Sequence, residues 1–413
     1  MSINKFVVKG ILLLLTVSQG LHAQCDHTLA DALALTLLKN PELSSFDYEM
    51  RVADARILQA GIFPNPIFDV ESENIDAPEF RQTTYLLSQL IELGGKRKAR
   101  LQFAKSERNR VSLDYEVKKR QFFVETTLLF IDVLLKQQKI TFLEDNLRVL
   151  ENFYQVVGKR VKAGRASVIE ESNYIILVNT ARIDLRNSQN ELAISINKLL
   201  AQWGGTNHED FLALGDLNWV PDIIPFEKMG CFLYEHPQII RSDYEENLRS
   251  ARISLEKSKA FPDVTVRGGP RYLEEARRWV WVVGVNVPLP ISDRNQGRIW
   301  ESRENLEKLE KERESIWIKL LTELNNSYSN VQTVSSELNL LKSSILPAAQ
   351  RAYDFGYKGY EMARYNYLEL IETERIYRTS KIRYLQALAD FHKALAVLQG
   401  LTGSKAIFNQ LCE

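Results

Sequence analysis

Proline is absent from the whole stretch between Pro78 and Pro221. Residues 96–157 hold neither proline nor glycine, a run of 62, and residues 165–203 hold neither. In the second half, 298–355 has no glycine and only Pro347, and 360–399 again has neither. Inside a helix proline costs about 3 kcal/mol and glycine about 1 kcal/mol. Such gaps exclude a domain of short elements and predict helices of unusual length. The run of 62 alone makes a helix ~93 Å long.

Reactive groups are equally sparse. The three cysteines, Cys25, Cys231 and Cys412, match no metal or redox spacing. They read as isolated thiols, with Cys25–Cys412 the one bridge an oxidising compartment would favour. The five histidines, His22, His27, His208, His236 and His392, are scattered, whereas a transition-metal site needs convergent ligands. No P-loop, GxGxxG, GxSxG, HExxH or CxxC occurs. The residues therefore offer no enzyme chemistry, no resident metal and no cofactor. Basic and acidic residues number 53 each, so the charge excess of a nucleic-acid binder is missing too.

What is present begins with a secretory signal over residues 1–23. Lys5 and Lys9 precede a short apolar run, Gly10 to Val17, and Ala23 supplies the small residue before a mature start at Gln24. His22, Ala23 and Gln24 do not resemble a lipoprotein box ahead of Cys25. Within the breaker-free runs, apolar residues recur at helical spacing, as in Phe122, Val124, Leu128, Leu129, Ile131 and Leu135. Such a stripe needs partner helices.

The halves repeat each other. Ala163-Gly164-Arg165 faces Met362-Ala363-Arg364, Thr180-Ala181-Arg182-Ile183 faces Thr379-Ser380-Lys381-Ile382, and Phe63-Pro64 faces Phe261-Pro262. This predicts a first repeat over 24–205, a connector over 206–229 and a second repeat over 230–413. Each repeat is read as helix, extended pair, long helix, turn and shorter helix. The pairs lie at about 66–75 with 82–92, and 262–270 with 279–289. They alternate: Asp69, Glu71 and Glu73 oppose Phe68 and Val70, and Trp279, Trp281, Val283, Val285, Val287 and Leu289 share one face. Strands of this length and pattern fit an outer-membrane barrel. Four strands cannot close one, and an open edge in lipid leaves backbone groups unpaired. Several chains must therefore contribute.

The residues at the junctions resemble those of the TolC-like outer-membrane efflux proteins, over essentially the whole mature length. The resemblance is carried by Thr28 to Leu33, Asn40-Pro41-Glu42-Leu43, Phe63-Pro64-Asn65-Pro66, Gln89 to Arg97, and Val287 to Gly297. Ile91-Glu92-Leu93-Gly94-Gly95-Lys96-Arg97 points to the cobalt–zinc–cadmium branch. The resemblance implies a mainly α fold with membrane β: a homotrimer whose 12-stranded barrel continues as a periplasmic α-helical tunnel. It implies a passive duct in the Gram-negative outer membrane, working with a periplasmic adaptor and an inner-membrane RND-type transporter, with divalent heavy metals as cargo. It also implies an acidic constriction at Glu369 and Glu372, which fall three residues apart on one helix face. Ala363 departs from the glycine usual in that turn, where Gly164 keeps it.

Further expectations follow for the tips and the membrane. Gly164, Arg165, Arg364 and Tyr365 are read as periplasmic-tip residues that shape partner contacts. Glu170 and Glu171, at the first tip, are read as surface charges. Trp279 and Trp281 are read as membrane-interface anchors, and Pro347 as a kink. Two rivals stand beside this reading. One is the same channel with drug or secreted-protein cargo. The other is a periplasmic coiled-coil adaptor with no barrel.

Overall fold

The computed structural model describes residues 25–205, 211–362 and 364–403. The signal segment, Ala363 and Cys412 lie outside the described residues.

A short strand, β1 (Cys25–Thr28), leads into α1 (Leu29–Lys39) and α2 (Pro41–Ala60). Thr28 caps α1 in a reciprocal box with Asp31, and Asn40 caps α2 by accepting from the Leu43 amide at 2.9 Å. Pro41 sits at the first helical position, where its missing N–H costs nothing. The strands β2 (Ile67–Glu73) and β3 (Gln82–Ile91) follow as a hairpin. Then come α3 (Lys96–Lys162), a single helix of 67 residues, and α4 (Val168–Leu200). At ~1.5 Å per residue α3 is ~100 Å long. It runs through Gly158, one turn beyond its breaker-free stretch.

The connector holds β4 (Phe211–Leu214), which pairs in parallel with β1, Cys25 facing Phe211 and Thr28 facing Leu214. Neither strand was expected. Four residues are too few for alternation to show. After a 3-10 turn at Gly230–Glu235 come α5 (Pro237–Lys259), β5 (Val264–Leu273) and β6 (Arg278–Asn286). The last stretch is α6 (Gln296–Leu340), a π turn at Leu341–Ile345, α7 (Leu346–Glu361) and α8 (Tyr367–Thr402).

The π turn has a local cause. Pro347 donates no N–H, and its ring excludes the carbonyl four residues back from its usual place. One wider turn absorbs the misfit. The first half carries Arg148 at the equivalent place and continues unbroken. A π turn therefore stands where a kink was expected, and it distinguishes the two halves.

The main core lies where α1, α3, α4, α6 and α8 converge on the connector. Val133, Leu199, Met229, Leu233, Leu324, Leu388, Phe391 and Leu398 are all fully buried there. Cys231 packs against this core and is disulfide-bonded, which corrects the reading of three isolated thiols. The side chains of Cys25 and Cys412 lie outside the described residues. A second, smaller core of Phe153, Val157, Tyr174, Tyr360, Tyr367 and Leu370 sits far along the helices.

Candidate functional site

Two regions concentrate the features that local folding does not need: the sheet at one end and the helix turns at the other. The sheet has strand order β2-β3-β5-β6, antiparallel throughout. Its registry assigns a face to every residue, because residues directly opposite share a side. Phe68 faces Leu87, Val70 faces Tyr85, Tyr272 faces Trp279, Gly268 faces Val283, and Val266 faces Val285. These make one continuous apolar face, and Trp281 on it is 80% exposed. On the other face lie Asp69, Glu71 and Glu73 of β2, Thr84 and Ser88 of β3, and Arg267 and Arg271 of β5. Arg271 donates to Thr84 Oγ1 at 2.8 Å and to Gln82 Oε1 at 3.0 Å.

An apolar face this wide on a soluble surface is a liability; against lipid it is what the solvent demands. Among the described residues no helix is long and apolar enough to cross a membrane. The two tryptophans expected as anchors share this face with other aromatic rings. Trp279 packs against Tyr272 at 5.1 Å and Tyr85 at 6.1 Å. Both tyrosines sit on the apolar alternation and were legible as part of it. Gly269 lets β3 and β5 approach closely, since a Cβ there would lie 1.8 Å from the Tyr85 carbonyl oxygen. In this sheet β2 and β6 each have one edge with no neighbouring strand among the described residues.

At the far end the α3–α4 turn closes on Gly164, whose φ of 68° favours glycine. Arg165 beyond it is exposed, and its amide donates to Arg160 O at 2.8 Å. Ser167 caps α4. The α7–α8 turn is built similarly. The Arg364 amide donates to Gly359 O at 2.8 Å, the Tyr365 amide donates to the same oxygen, and Asn366 caps α8.

The structure engages both predicted gate acids locally. Glu369 completes a capping box: it donates its amide to Asn366 Oδ1 at 3.0 Å and accepts from the Asn366 amide at 2.9 Å. Glu372 receives Arg375 in two-point fashion, at 2.6 and 3.0 Å, and that guanidinium holds its carboxyl below the usual range. Within one chain Glu372 is thus a neutralised pair, while Glu369 has no ion-pair partner among the described residues.

Contacts between the two turns went unforeseen. Arg160 donates to Tyr360 O at 3.1 Å and lies 4.7 Å from that ring. The Tyr360 hydroxyl donates to Glu170 at 3.0 Å, so Glu170 is more than the surface charge expected. Burial and this bond push the Tyr360 hydroxyl up to about 12. Phe153 packs tilted against Tyr360 at 5.4 Å, and Tyr174 packs edge-on against Tyr367 at 5.1 Å. These partners lie about 200 residues apart in the chain, beyond the reach of local pattern. Beside them Glu374 is only 3% exposed. It accepts from Asn146 at 3.3 Å and pairs with Arg378 at 3.5 Å, and its second oxygen has no partner. Burial raises its carboxyl above the usual value.

Among the described residues no group of three or more His, Cys, Asp or Glu could hold a metal ion. The geometry thus provides a sheet with one apolar face, long helices and a tied double tip. Comparison with known proteins agrees. A family model described as outer membrane efflux protein matches residues 32–205 and 232–404. The cobalt-zinc-cadmium resistance protein CzcC of Cupriavidus metallidurans is 28% identical over 376 residues, covering 91% of this chain and 90% of that protein. The nickel-cobalt-cadmium resistance protein NccC of Alcaligenes xylosoxydans xylosoxydans is 24% identical, covering 70% and 67%. Among solved structures, CusC superposes with a TM-score of 0.76 at 15% identity, over 94% of this chain and 96% of that one. The open-state MtrE outer membrane channel of Neisseria gonorrhoeae gives 0.74 at 14%, over 91% and 88%.

Proposed function

The chain belongs to the outer membrane efflux protein family, and from that premise we propose that three copies assemble into the exit duct of a tripartite pump for divalent heavy-metal cations. The observation that carries the assembly is the four-stranded sheet, apolar on one face and charged on the other, with two edges unfilled. An open edge in hydrocarbon costs several kcal/mol for each unsatisfied backbone group. Edge pairing with further copies removes that cost, and three copies give a 12-stranded cylinder wide enough for a passage.

The charged face then lines the lumen, and the helices continue it through the periplasm. The duct is passive. A periplasmic adaptor and an inner-membrane RND-type transporter supply the drive, and Arg165, Arg364 and Tyr365, with exposed Val168, Ile169 and Leu368 beside them, form the surface they meet. Threefold symmetry brings Glu369 and Glu372 around the axis as the constriction. Trp279 and Trp281 anchor the sheet at the headgroup level farther from the helices. The resistance proteins to which the chain is similar support the metal cargo.

The test is loss and restoration. Disrupting the gene lowers survival in zinc, cobalt or cadmium by tenfold or more, and the intact chain restores it. Unchanged survival across those metals, with lost tolerance to an organic drug, transfers the duct to another cargo.

A further inference from the structure

The lipid-suited face does not stop at the last ladder pair. On the helix side the apolar alternation of the sequence runs on from Ile91, the last residue of β3, to Leu93, and through Val287, Leu289 and Ile291 after β6; Leu289 and Ile291 are 74% and 75% exposed. Immediately beyond these apolar positions come basic ones. Arg97 and Lys98 open α3, and Arg294 and Arg298 flank the start of α6. Neither helix has an acid in its first turn.

The charge accounting is uneven there. Lys96 is matched by Asp263 at 2.6 Å, and Arg100 by Glu92. Arg97, Lys98, Arg294 and Arg298 have no carboxylate within ion-pair range among the described residues. Arg97 instead lies 4.1 Å from the Phe63 ring, itself exposed, and the Arg294 guanidinium donates to Pro290 O at 3.1 Å. The nearby acids left over are Asp293, which accepts from the Asn295 amide at 2.8 Å, and Glu301. Trp300, largely exposed, stands between Arg298 and Glu301 in sequence. The same arrangement therefore occurs in both repeats: apolar alternation, then unmatched cations at the next level.

We propose that this belt binds the headgroups of anionic phospholipids in the leaflet on the helix side of the membrane. The inference rests on the sheet being embedded as proposed above. An apolar band flanked by exposed aromatic rings and unpaired cations matches the order of materials met on leaving a bilayer: hydrocarbon, then interface, then phosphate. Basic groups near an anionic surface gain from it, and the gain fades with salt. The belt thus sets the depth at which the cylinder sits and selects the lipids that surround it.

The experiment uses the mature full-length protein in vesicles of phosphatidylcholine containing trace spin-labelled phosphatidylglycerol or spin-labelled phosphatidylcholine. The motionally restricted lipid is read by electron paramagnetic resonance. The labelled phosphatidylglycerol is enriched about threefold or more over phosphatidylcholine at low salt, with less enrichment at 1 M salt. The variant R97Q/K98Q/R294Q/R298Q brings the ratio close to one, and the milder K98Q/R298Q falls between. Should the fourfold variant not fold, the double variant and the salt series still decide. A restricted component with no headgroup preference in the wild type, or a preference untouched by the double variant and by salt, overturns the belt alone. Absence of any restricted component overturns the embedded sheet, and the belt with it.

Discussion

Glu374 and Glu372 are two residues apart and stand in opposite surroundings. Arg375 grips Glu372 from the outside. Glu374 is enclosed between Asn146 of α3 and the aromatic layer, with Arg378 beside it and Tyr353 lining the same small cavity. Burial raises its proton affinity, so the packed tip binds a proton that a hydrated tip gives up. Stability from this group is present in acid and falls as pH rises from the ordinary carboxylate value of 4.5 through the higher folded one. Hydrogen exchange of the amides from Leu370 to Tyr377, followed against pH, should show protection weakening across that window. Glu374→Gln should flatten the trend; an unaltered profile would assign it to other groups. The proposed constriction is tested at the same scale. Replacing Glu369 and Glu372 together with alanine should lower cation preference in single-channel recordings, and equal selectivity would reject the ring. Because Asn366 leans on Glu369, the change also costs helix α8 about 1 kcal/mol of capping, so conductance must be read on folded assemblies.

Elements were legible in proportion to how local their causes are. The long helices follow from missing breakers, and α3 exceeds its run only because Gly158 is tolerated inside it. The strands follow from alternation: the observed Ile67–Glu73, Gln82–Ile91, Val264–Leu273 and Arg278–Asn286 overlap the expected segments, with β5 running past residue 270 and β6 stopping short of 289. Pairing between elements was not legible. The contact of β3 with β5 depends on Gly269, whose lack of a side chain carries no period. Gly269→Ala should therefore part the two hairpins and cost about 3 kcal/mol or more. Gly268→Ala is the control, since a Cβ there meets nothing closer than 3.7 Å. Unfolding of both variants in denaturant measures the difference, and equal stabilities would contradict the close approach. The ties of Arg160 and Glu170 to Tyr360 were hidden for the same reason: each partner, taken alone, is an ordinary helix residue.

At the scale of the molecule, the two halves share a plan and differ in the course of their long helices. One long helix is continuous and the other is relaxed by a π turn ahead of Pro347. The likeness to CusC and MtrE over nine-tenths of the chain shows that this plan is the common one for the fold. The halves are also stitched together. β1 pairs with β4, nearly two hundred residues later, and Met229, Leu233, Leu388 and Leu398 fill one core with Val133 and Leu199.

That stitching bears on biogenesis. A core completed only by the last helix cannot close while the polypeptide is still leaving the ribosome, and contacts this distant in sequence form slowly. A polypeptide built this way gains its protease-resistant interior only after its last helix has been made.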